Sequence, residues 1–322
     1  MDSITQTLWN AKIPLHITHP SHPNTPLITS LPRFSYLALL VPRCSAFFRA
    51  QVSAFHHEDL LLRNLPLGLL VDLYQPSLPW RLTVSDGDSW DIGDTFLNCV
   101  KENVSTTLPA PKVQTRHQSL GPKHHSKELT HTHTKADFVR YGNAKRIMSL
   151  SKADTSTIWN AVQDNDYASF QKINAILLNA PTPLRHIPLR VYIPSSPPPG
   201  PTSSSSSSSP SPAGASPQPP PPPPPAAAHQ AEQTAGVFKV LQTLVSPTVP
   251  GIARGTARGT ARQTLGQALR AHLPTLFPSS RDPVLANVVL HGSPVPFSAP
   301  LEDLMREAAY PDGWLCVTVV LW

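Results

Sequence analysis

The second part of the chain carries apolar stretches that switch between strand-like and helix-like spacing. Four stretches are short and rich in β-branched and aromatic residues, which favours strands. A helical period begins at Thr264, and a shorter one precedes the last strand. The predicted strands are residues 187–193, 237–245, 287–292 and 314–321, and the predicted helices are residues 264–277 and 301–309.

A less regular copy of the same order is predicted nearer the start of the chain. Ile13, Leu15 and Ile17 alternate with polar positions, as in a half-buried strand, and a turn with Pro20, Pro23 and Pro26 follows. The other predicted elements are a helix at 4–11, strands at 34–41, 65–74 and 78–84, and a helix at 45–52. A ββαβ(α)β order with one main helix across a mixed sheet is typical of the ubiquitin-like β-grasp.

Helical patterns lie between the two copies. Asp94 is a predicted N-cap for residues 95–102, Asp154 for residues 155–163, and Asp166 for residues 167–178. The predicted fold class is α+β, with two ubiquitin-like β-grasp domains flanking a helix-rich domain. The predicted domains are residues 1–11 (N-terminal helix), 12–93 (first ubiquitin-like), 94–183 (helix-rich) and 184–322 (second ubiquitin-like).

Three segments are predicted to be insertions or loops of low complexity. Residues 195–235 are almost entirely Pro, Ser, Ala and Gly, and residues 251–262 form a basic Ala-Arg-Gly-Thr repeat. Residues 103–135 lack periodic apolar positions, so they cannot bury enough surface to offset chain entropy. When 103–135 are removed, Phe96, Cys99, Ala136 and Val139 recur at helical spacing. Since Val104-Ser105 can be encoded by a common splice-donor sequence, a retained intron is one explanation of this segment.

The charge of +6 is concentrated in these segments. Residues 103–135 hold five Lys or Arg against one acid, and three Arg lie in the repeat, which leaves the predicted folded parts nearly neutral. This distribution argues against a nucleic-acid partner. Cys44, Cys99 and Cys316 form no CxxC pair and indicate reduced, buried thiols. With no signal-peptide pattern and no long apolar run, we expect a soluble intracellular chain whose membrane contact is peripheral.

Several motifs together resemble the autophagy protein 5 family, particularly its fungal members. They include Ile13-Pro-Leu-His-Ile-Thr-His-Pro20 and Ala309-Tyr-Pro-Asp-Gly-Trp-Leu315, and further stretches at residues 32–37, 65–80, 136–148 and 186–192. The resemblance implies two ubiquitin-like domains around a helix-rich one. It also implies covalent attachment to autophagy protein 12 and binding of the N-terminal helix of autophagy protein 16. That complex would act like an E3 ligase, together with the conjugating enzyme of the autophagy protein 8 pathway, in transferring autophagy protein 8 to phosphatidylethanolamine. The expected location is the cytoplasm and, peripherally, the preautophagosomal membrane.

The resemblance also implies an acceptor lysine in a Lys-Glu-Ala-Asp motif. Here Lys101-Glu102 precedes the 103–135 segment and Ala136-Asp137 follows it, so the motif is split. Lys101 keeps the upstream context and is the predicted isopeptide site, with Lys135 as the runner-up. The alternative is that Lys101 is simply one of ten solvated lysines.

The sequence has no pattern typical of a modifier, a metal site or an active site. The chain ends on a strand without a terminal glycine, which favours a receiver of a modifier over a modifier itself. His124, His125, His131 and His133 lack ligand partners at metal-binding spacing, and Gly251–Thr260 lacks a phosphate loop's Lys-Ser/Thr, so no metal or cofactor is expected. No carboxylate pair indicates catalysis, so we expect no enzyme activity of its own. Two other hypotheses stay open: a signalling adaptor acting through the proline run at 219–225 without conjugation, and a basic protein that binds anionic membranes or RNA.

Overall fold

The computed structural model describes residues 3–85, 136–179, 181–195, 234–235, 238–250 and 260–322. The first sheet has the strand order β2-β1-β5-β3-β4, with β1 antiparallel to β2 and parallel to β5. Its strands are β1 (Lys12–His19), β2 (His22–Pro32), β3 (Ala54–His57), β4 (Leu60–Leu61) and β5 (Trp80–Ser85). Alternation along β1 buries Ile13, Leu15 and Ile17, as the sequence pattern predicts.

Three helices accompany this sheet: α1 (Ile4–Asn10), α2 (Val41–Phe48) and α3 (Leu67–Tyr74). The predicted strand at 65–74 is wrong, because α3 is buried on several sides and an almost entirely apolar run does not distinguish a buried helix from a strand. The predicted strand at 34–41 is also wrong: Tyr36 makes a single bridge to Pro66, and a 3₁₀ turn, Leu37–Leu40, leads into α2. The predicted helix at 45–52 therefore begins earlier, at Val41.

The turn predicted around Pro20, Pro23 and Pro26 is a hairpin turn followed by a long strand. Residues 20–21 make the turn, and β2 runs from His22 to Pro32 with prolines inside it. Prolines are tolerated there because β2 is at the edge of the sheet among the described strands, where some N–H groups face away from any neighbour.

The middle of the chain is helical. Residues 136–141 are helical (α4), and α5 (Lys145–Met148), α6 (Lys152–Asp164) and α7 (Tyr167–Leu178) follow. The Asp166 side chain accepts from the Ser169 N–H and caps α7, which confirms that prediction. The α6 cap is Ser151 instead of Asp154, which lies in the first turn and itself accepts from the Ser151 hydroxyl. Asp94 lies outside the described residues.

The second sheet has the order β12-β11-β13-β6-β8-β7. Its central strands β6 and β13 are parallel, and β8 and β11 flank them antiparallel. The strands are β6 (Ile187–Pro194), β7 (Thr234–Ala235), β8 (Phe238–Val245), β11 (Ala286–Leu290), β12 (Ser293–Pro294) and β13 (Leu315–Leu321), with α8 (Leu265–His272) and α9 (Leu301–Ala308). A capping box between Thr264 and Gln267 begins α8, in agreement with the predicted start.

Two predicted loops contain short strands at their ends. β10 (Thr260–Arg262) pairs with β9 (Thr248–Pro250) in a separate two-stranded ribbon, at the end of the predicted loop 251–262. β7 pairs with β8 at the end of the predicted loop 195–235. Residues 196–233 and 251–259 lie outside the described residues, and so do 103–135.

Two apolar cores hold the described residues together. One fills the first ubiquitin-like unit, around Leu15, Ile17 and Trp80. The other extends from Trp9 of α1 and Phe34 through the α6–α7 bundle into the second sheet. The α+β class with two β-grasp units around a helical part is thereby confirmed.

Candidate functional site

The predicted isopeptide residues, Lys101 and its runner-up Lys135, lie outside the described residues. The structure resumes at Ala136, immediately after Lys135 and at the second half of the split Lys-Glu-Ala-Asp motif. The described part of this motif lies on a platform made of α4 and the loop at residues 310–314, against which α4 packs.

Ala136 is completely buried, and Gly313 makes room for it. Gly313 has a φ of +82°, and a Cβ there would lie 3.0 Å from the Ala136 Cβ and 2.9 Å from Arg140 Nη2. Both the backbone conformation and the close approach require glycine at this position. The start of α4 is thus held directly on the second ubiquitin-like unit.

Arg140 joins α4 to this loop from the interior. Its Nη2 donates to the Gly313 carbonyl oxygen over 2.5 Å, and the Arg140 carbonyl accepts from the Arg185 N–H over 2.6 Å. Burial lowers the pKa of Arg140 because it disfavours the charged form, while the nearby Asp137 and Asp312 oppose that effect. A buried guanidinium that bridges two parts of the chain fixes their relative position.

Asp137, next to Ala136, is buried as well and turns towards the start of the bundle. Its Oδ2 accepts from the Ile147 N–H of α5 over 3.4 Å, and burial raises the pKa of the carboxyl group. Tyr141, at the end of α4, donates its hydroxyl to the Leu178 carbonyl of α7 over 2.8 Å. These contacts tie α4 to both ends of the helical part.

The loop itself is braced by Asp312. This carboxylate accepts from Arg190 Nη1 over 3.4 Å and from the Trp314 N–H over 3.1 Å. The Arg190 guanidinium also lies 4.2 Å from the Trp314 ring centroid, a cation–π contact. Burial raises the pKa of Asp312, and Arg190 opposes that shift.

The opposite side of α4 and its neighbours is apolar and open. Phe138 is 58% exposed, Met148 at the end of α5 is 71% exposed, and Ile176 on α7 is 50% exposed. Exposed large apolar side chains of this kind are candidates for a protein-binding surface. Phe138 directly follows Asp137, the last residue of the split motif.

A second polar cluster joins the first ubiquitin-like unit to the second. Arg33, which follows β2, forms an ion pair with Asp72 of α3 and donates from Nε to His291 Nδ1 over 3.3 Å. His291 Nε2 lies 2.9 Å from the Ala308 carbonyl, so these partners assign the imidazole proton to Nε2. A Cβ on Gly68 would collide with the Arg33 side chain, which explains the glycine in α3.

The described cysteines have no environment that activates a thiol. Burial raises the pKa of Cys44 to about 11 and raises that of Cys316 further still. No group of three or more potential metal-binding side chains occurs among the described residues. Within the same ranges, no helix is both long enough and apolar enough to cross a membrane.

Sequence patterns did not reveal either buried cluster. Asp137 and Arg140 lie in a stretch whose sequence indicates a family resemblance but no ion pair. Arg33 and Asp72 are separated by 38 residues, so their pairing is not visible in the sequence. A charged residue within an apolar run, such as Asp72 inside residues 65–74, is the signal that could have drawn attention, since buried charges require a partner.

Known proteins share this architecture. Family models match three consecutive parts of the chain: Autophagy protein ATG5, UblA domain, at residues 8–85; its alpha-helical bundle region at 135–180; and its UblB domain at 186–319. The crystal structure of Kluyveromyces marxianus Atg5 covers 98% of this chain and 99% of that chain with a TM-score of 0.58 at 16% identity, which shows the shared fold.

Curated relatives cover nearly the whole chain. Autophagy-related protein 5 of Gibberella zeae is 52% identical over 318 residues, spanning 99% of this chain and 98% of the relative. Autophagy-related protein 5 of Neurospora crassa is 53% identical over 320 residues, spanning 99% of this chain and 72% of the relative. Two ubiquitin-like domains around a helical bundle therefore define a class of autophagy proteins. The chain belongs to the autophagy protein 5 family.

Proposed function

We propose that this protein is a conjugation-dependent scaffold for autophagosome formation. It receives autophagy protein 12 on Lys101, with Lys135 as the alternative acceptor, and binds the N-terminal helix of autophagy protein 16. The complex promotes transfer of autophagy protein 8 to phosphatidylethanolamine at the preautophagosomal membrane, which it contacts peripherally from the cytoplasm. The domain boundaries given above are part of this proposal.

The observation that carries the proposal is the buried anchorage of α4. Ala136 packs on Gly313, and Arg140 donates to the carbonyl of that glycine. The second half of the split motif, Ala136-Asp137, is therefore held on the second ubiquitin-like unit by buried contacts. A lysine brought to this platform by the motif would have a restricted set of orientations, which favours attack on a bound thioester.

The exposed apolar side chains beside the platform support docking of the attached modifier. Phe138 faces outward from the same short helix whose inner face carries Asp137 and Arg140. A covalent link raises the effective concentration of the modifier at any surface within reach, so even a weak apolar contact becomes occupied. Phe138 and Met148 are the side chains that we assign to this contact.

Formation of the isopeptide bond requires no catalytic group of this chain. The deprotonated lysine amine attacks the carbonyl carbon of the thioester between the modifier's C-terminus and an enzyme cysteine. An isopeptide C–N bond forms, the C–S bond breaks, and the proton lost from the nitrogen goes to the leaving thiolate or to water. The activating and conjugating enzymes supply that cysteine. Cys44 and Cys316, both buried with raised pKa values, have no part in the reaction.

The test compares three lysine-to-arginine variants in a fungal host or a reconstituted conjugation reaction. Lys101→Arg is expected to abolish the higher-mass conjugate, while Lys135→Arg preserves it. Lys145→Arg is the matched control, because Lys145 is an exposed lysine on the neighbouring α5. Mass spectrometry of the branched peptide identifies the linked lysine directly.

Different outcomes reject different parts of the proposal. Loss of the conjugate only in Lys135→Arg would move the acceptor to the runner-up. Persistence of the conjugate in a Lys101/Lys135 double variant would reject both sites. Absence of any conjugate from the unaltered chain, with autophagy intact, would reject the scaffold mechanism as a whole.

A further inference from the structure

The free edge of the first sheet offers a short row of unpaired backbone groups. Among the described strands, β2 has β1 as its neighbour on one side and none on the other. The Arg33 N–H donates to the Ala11 carbonyl over 2.9 Å, which makes this opposed pair a hydrogen-bonded one. In the antiparallel register, the pairs Ile13–Leu31, Leu15–Thr29 and Ile17–Leu27 are then hydrogen-bonded too.

The alternate residues of β2 must therefore direct their N–H and C=O groups away from β1. These residues have even numbers, and they include Pro26, Ile28, Ser30 and Pro32. Pro26 and Pro32 have no N–H, so they close both ends of the row to a pairing strand. Between them, Ile28 and Ser30 each present one donor and one acceptor, enough for about four backbone hydrogen bonds with an added strand.

Side chains on the two faces of this edge determine which strand could pair with it. On the outer face, the Ile28 side chain is 70% exposed, although its own strand is well formed. On the inner face, Arg43 of α2 reaches the edge and donates from Nη1 to Thr29 Oγ1 over 3.0 Å, with its side chain exposed. An added strand would alternate accordingly, placing apolar side chains beside Ile28 and the intervening ones beside Arg43.

The described segments that form or border this edge carry charges of one sign. The segments β1, β2, β5 and α2 contain no carboxylate, while Lys12, Arg43 and Arg81 are exposed cations in them. Lys12 and His16 occupy the outer face of β1, the strand next to β2, and His16 is opposite Ile28. An acidic peptide is attracted to this edge and a basic one is repelled.

We propose that the Ile28–Ser30 edge of β2 binds an extended acidic peptide of a partner protein by strand addition. The peptide alternates aliphatic residues, which pack on Ile28, with carboxylates, which pair with Arg43. The two flanking prolines limit pairing to a short window. The edge is thereby a site for a brief peptide motif and is protected against open-ended sheet growth. This site is separate from the conjugation platform and does not depend on it.

The test measures fluorescence polarisation of a labelled Glu-Val-Glu-Val-Glu peptide with the full chain. Saturable binding is expected, weakening as salt rises, and a Lys-Val-Lys-Val-Lys peptide is expected not to bind. Ile28→Pro removes the outward N–H together with the Ile28 side chain and mimics the prolines already present at 26 and 32, so we expect folding to persist and affinity to fall at least ~10-fold. Ile28→Thr is the matched control, because it keeps the N–H and the β-branch but replaces the apolar side chain with a shorter one that bears a hydroxyl.

Two further measurements separate backbone pairing from charge. Arg43→Gln should weaken binding about 5-fold and flatten its salt dependence. On the unaltered protein, two peptide isomers carry N-methyl groups on either the valine or the glutamate amides. Strand addition predicts that one isomer binds and the other does not, because only one set of amides faces β2.

Three results would overturn the proposal. One is equal binding of both N-methyl isomers, and another is unchanged affinity in Ile28→Pro. The third is absence of saturable binding of the acidic peptide to the unaltered chain. Because the isomers test the native protein, the result does not depend on how any variant folds.

Discussion

Acidification should loosen the contact between the two ubiquitin-like units at His291. Burial lowers the pKa of His291 to about 4, and the neighbouring Arg33 acts in the same direction. In the neutral imidazole, Nδ1 accepts from Arg33 Nε, and a proton on Nδ1 would place two donors and two positive charges against each other. The rings of Tyr310 and Phe34 also pack on this imidazole, and the Asp72 carboxylate accepts from the backbone N–H of His291.

The expected loss of stability follows from the two pKa values. His291 titrates near pH 4 in the folded chain and near its ordinary value of 6.5 when unfolded, so between these values the unfolded chain binds more protons. The contribution of neutral His291 to the free energy of unfolding is therefore complete above pH 6.5 and is lost as the pH falls towards 4. Between about pH 7.5 and about pH 5 the free energy of unfolding should decrease by about 2 kcal/mol from this group alone. Asp72 acts oppositely, since its pKa is raised by burial and folding favours its protonated form as the pH falls.

The assay compares the unaltered chain with His291→Asn by urea unfolding, followed by tryptophan fluorescence. Asparagine tolerates the positive φ of +53° at this position and does not titrate, while Asp72 is present in both proteins. The difference in unfolding free energy between the two proteins should therefore change by about 2 kcal/mol across the interval. A difference that stays constant with pH would refute the assignment of the acid sensitivity to His291.

Two substitutions test the other buried contacts. Gly313→Ala should cost about 3 kcal/mol, because strain at positive φ adds to a clash with Ala136 and Arg140, whereas Gly292→Ala, also at positive φ but with no contact closer than 3.8 Å for the added Cβ, should cost only about 1 kcal/mol. Equal losses in thermal or urea unfolding would contradict the packing described for α4. Asp72→Ala should cost about 3 kcal/mol because it leaves the buried Arg33 charge unpaired. Removing the carboxylate of the solvent-exposed Arg262–Asp303 pair should cost clearly less in the same measurement, because water screens that pair, and a comparable loss would show that burial does not decide the effect.

Periodic patterns predicted those elements in which one face is buried and the other solvated. The strand at Lys12–His19 and the capped helix at Tyr167–Leu178 are examples, since alternation and N-cap chemistry are local properties. Patterns failed where burial is two-sided: apart from Asp72, α3 is apolar on all sides because it packs between the first unit and β11 and β13 of the second. They also failed at β2, where proline suggested a turn although an edge position accommodates it.

The candidate site was predictable only as far as its motif. Ala136 and Asp137 were recognised as the second half of an acceptor motif, but nothing local indicates that Gly313, far along the chain, receives them. The ion pair of Arg33 with Asp72 is likewise a product of tertiary packing, because buried charges find partners that sequence distance does not specify. The acceptor choice between Lys101 and Lys135 stays a prediction.

The position of Trp9 has a consequence for dissecting this protein. Its ring packs on Phe34 of the first unit and on Tyr167 and Phe170 of the bundle, and the same apolar core continues to Trp314 in the second sheet. Fragments cut at the borders between the three regions would each expose part of this shared interior to water. Isolated fragments should consequently aggregate or unfold at a lower temperature than the full chain. A truncated form should therefore lose the function of the whole protein instead of keeping that of one domain.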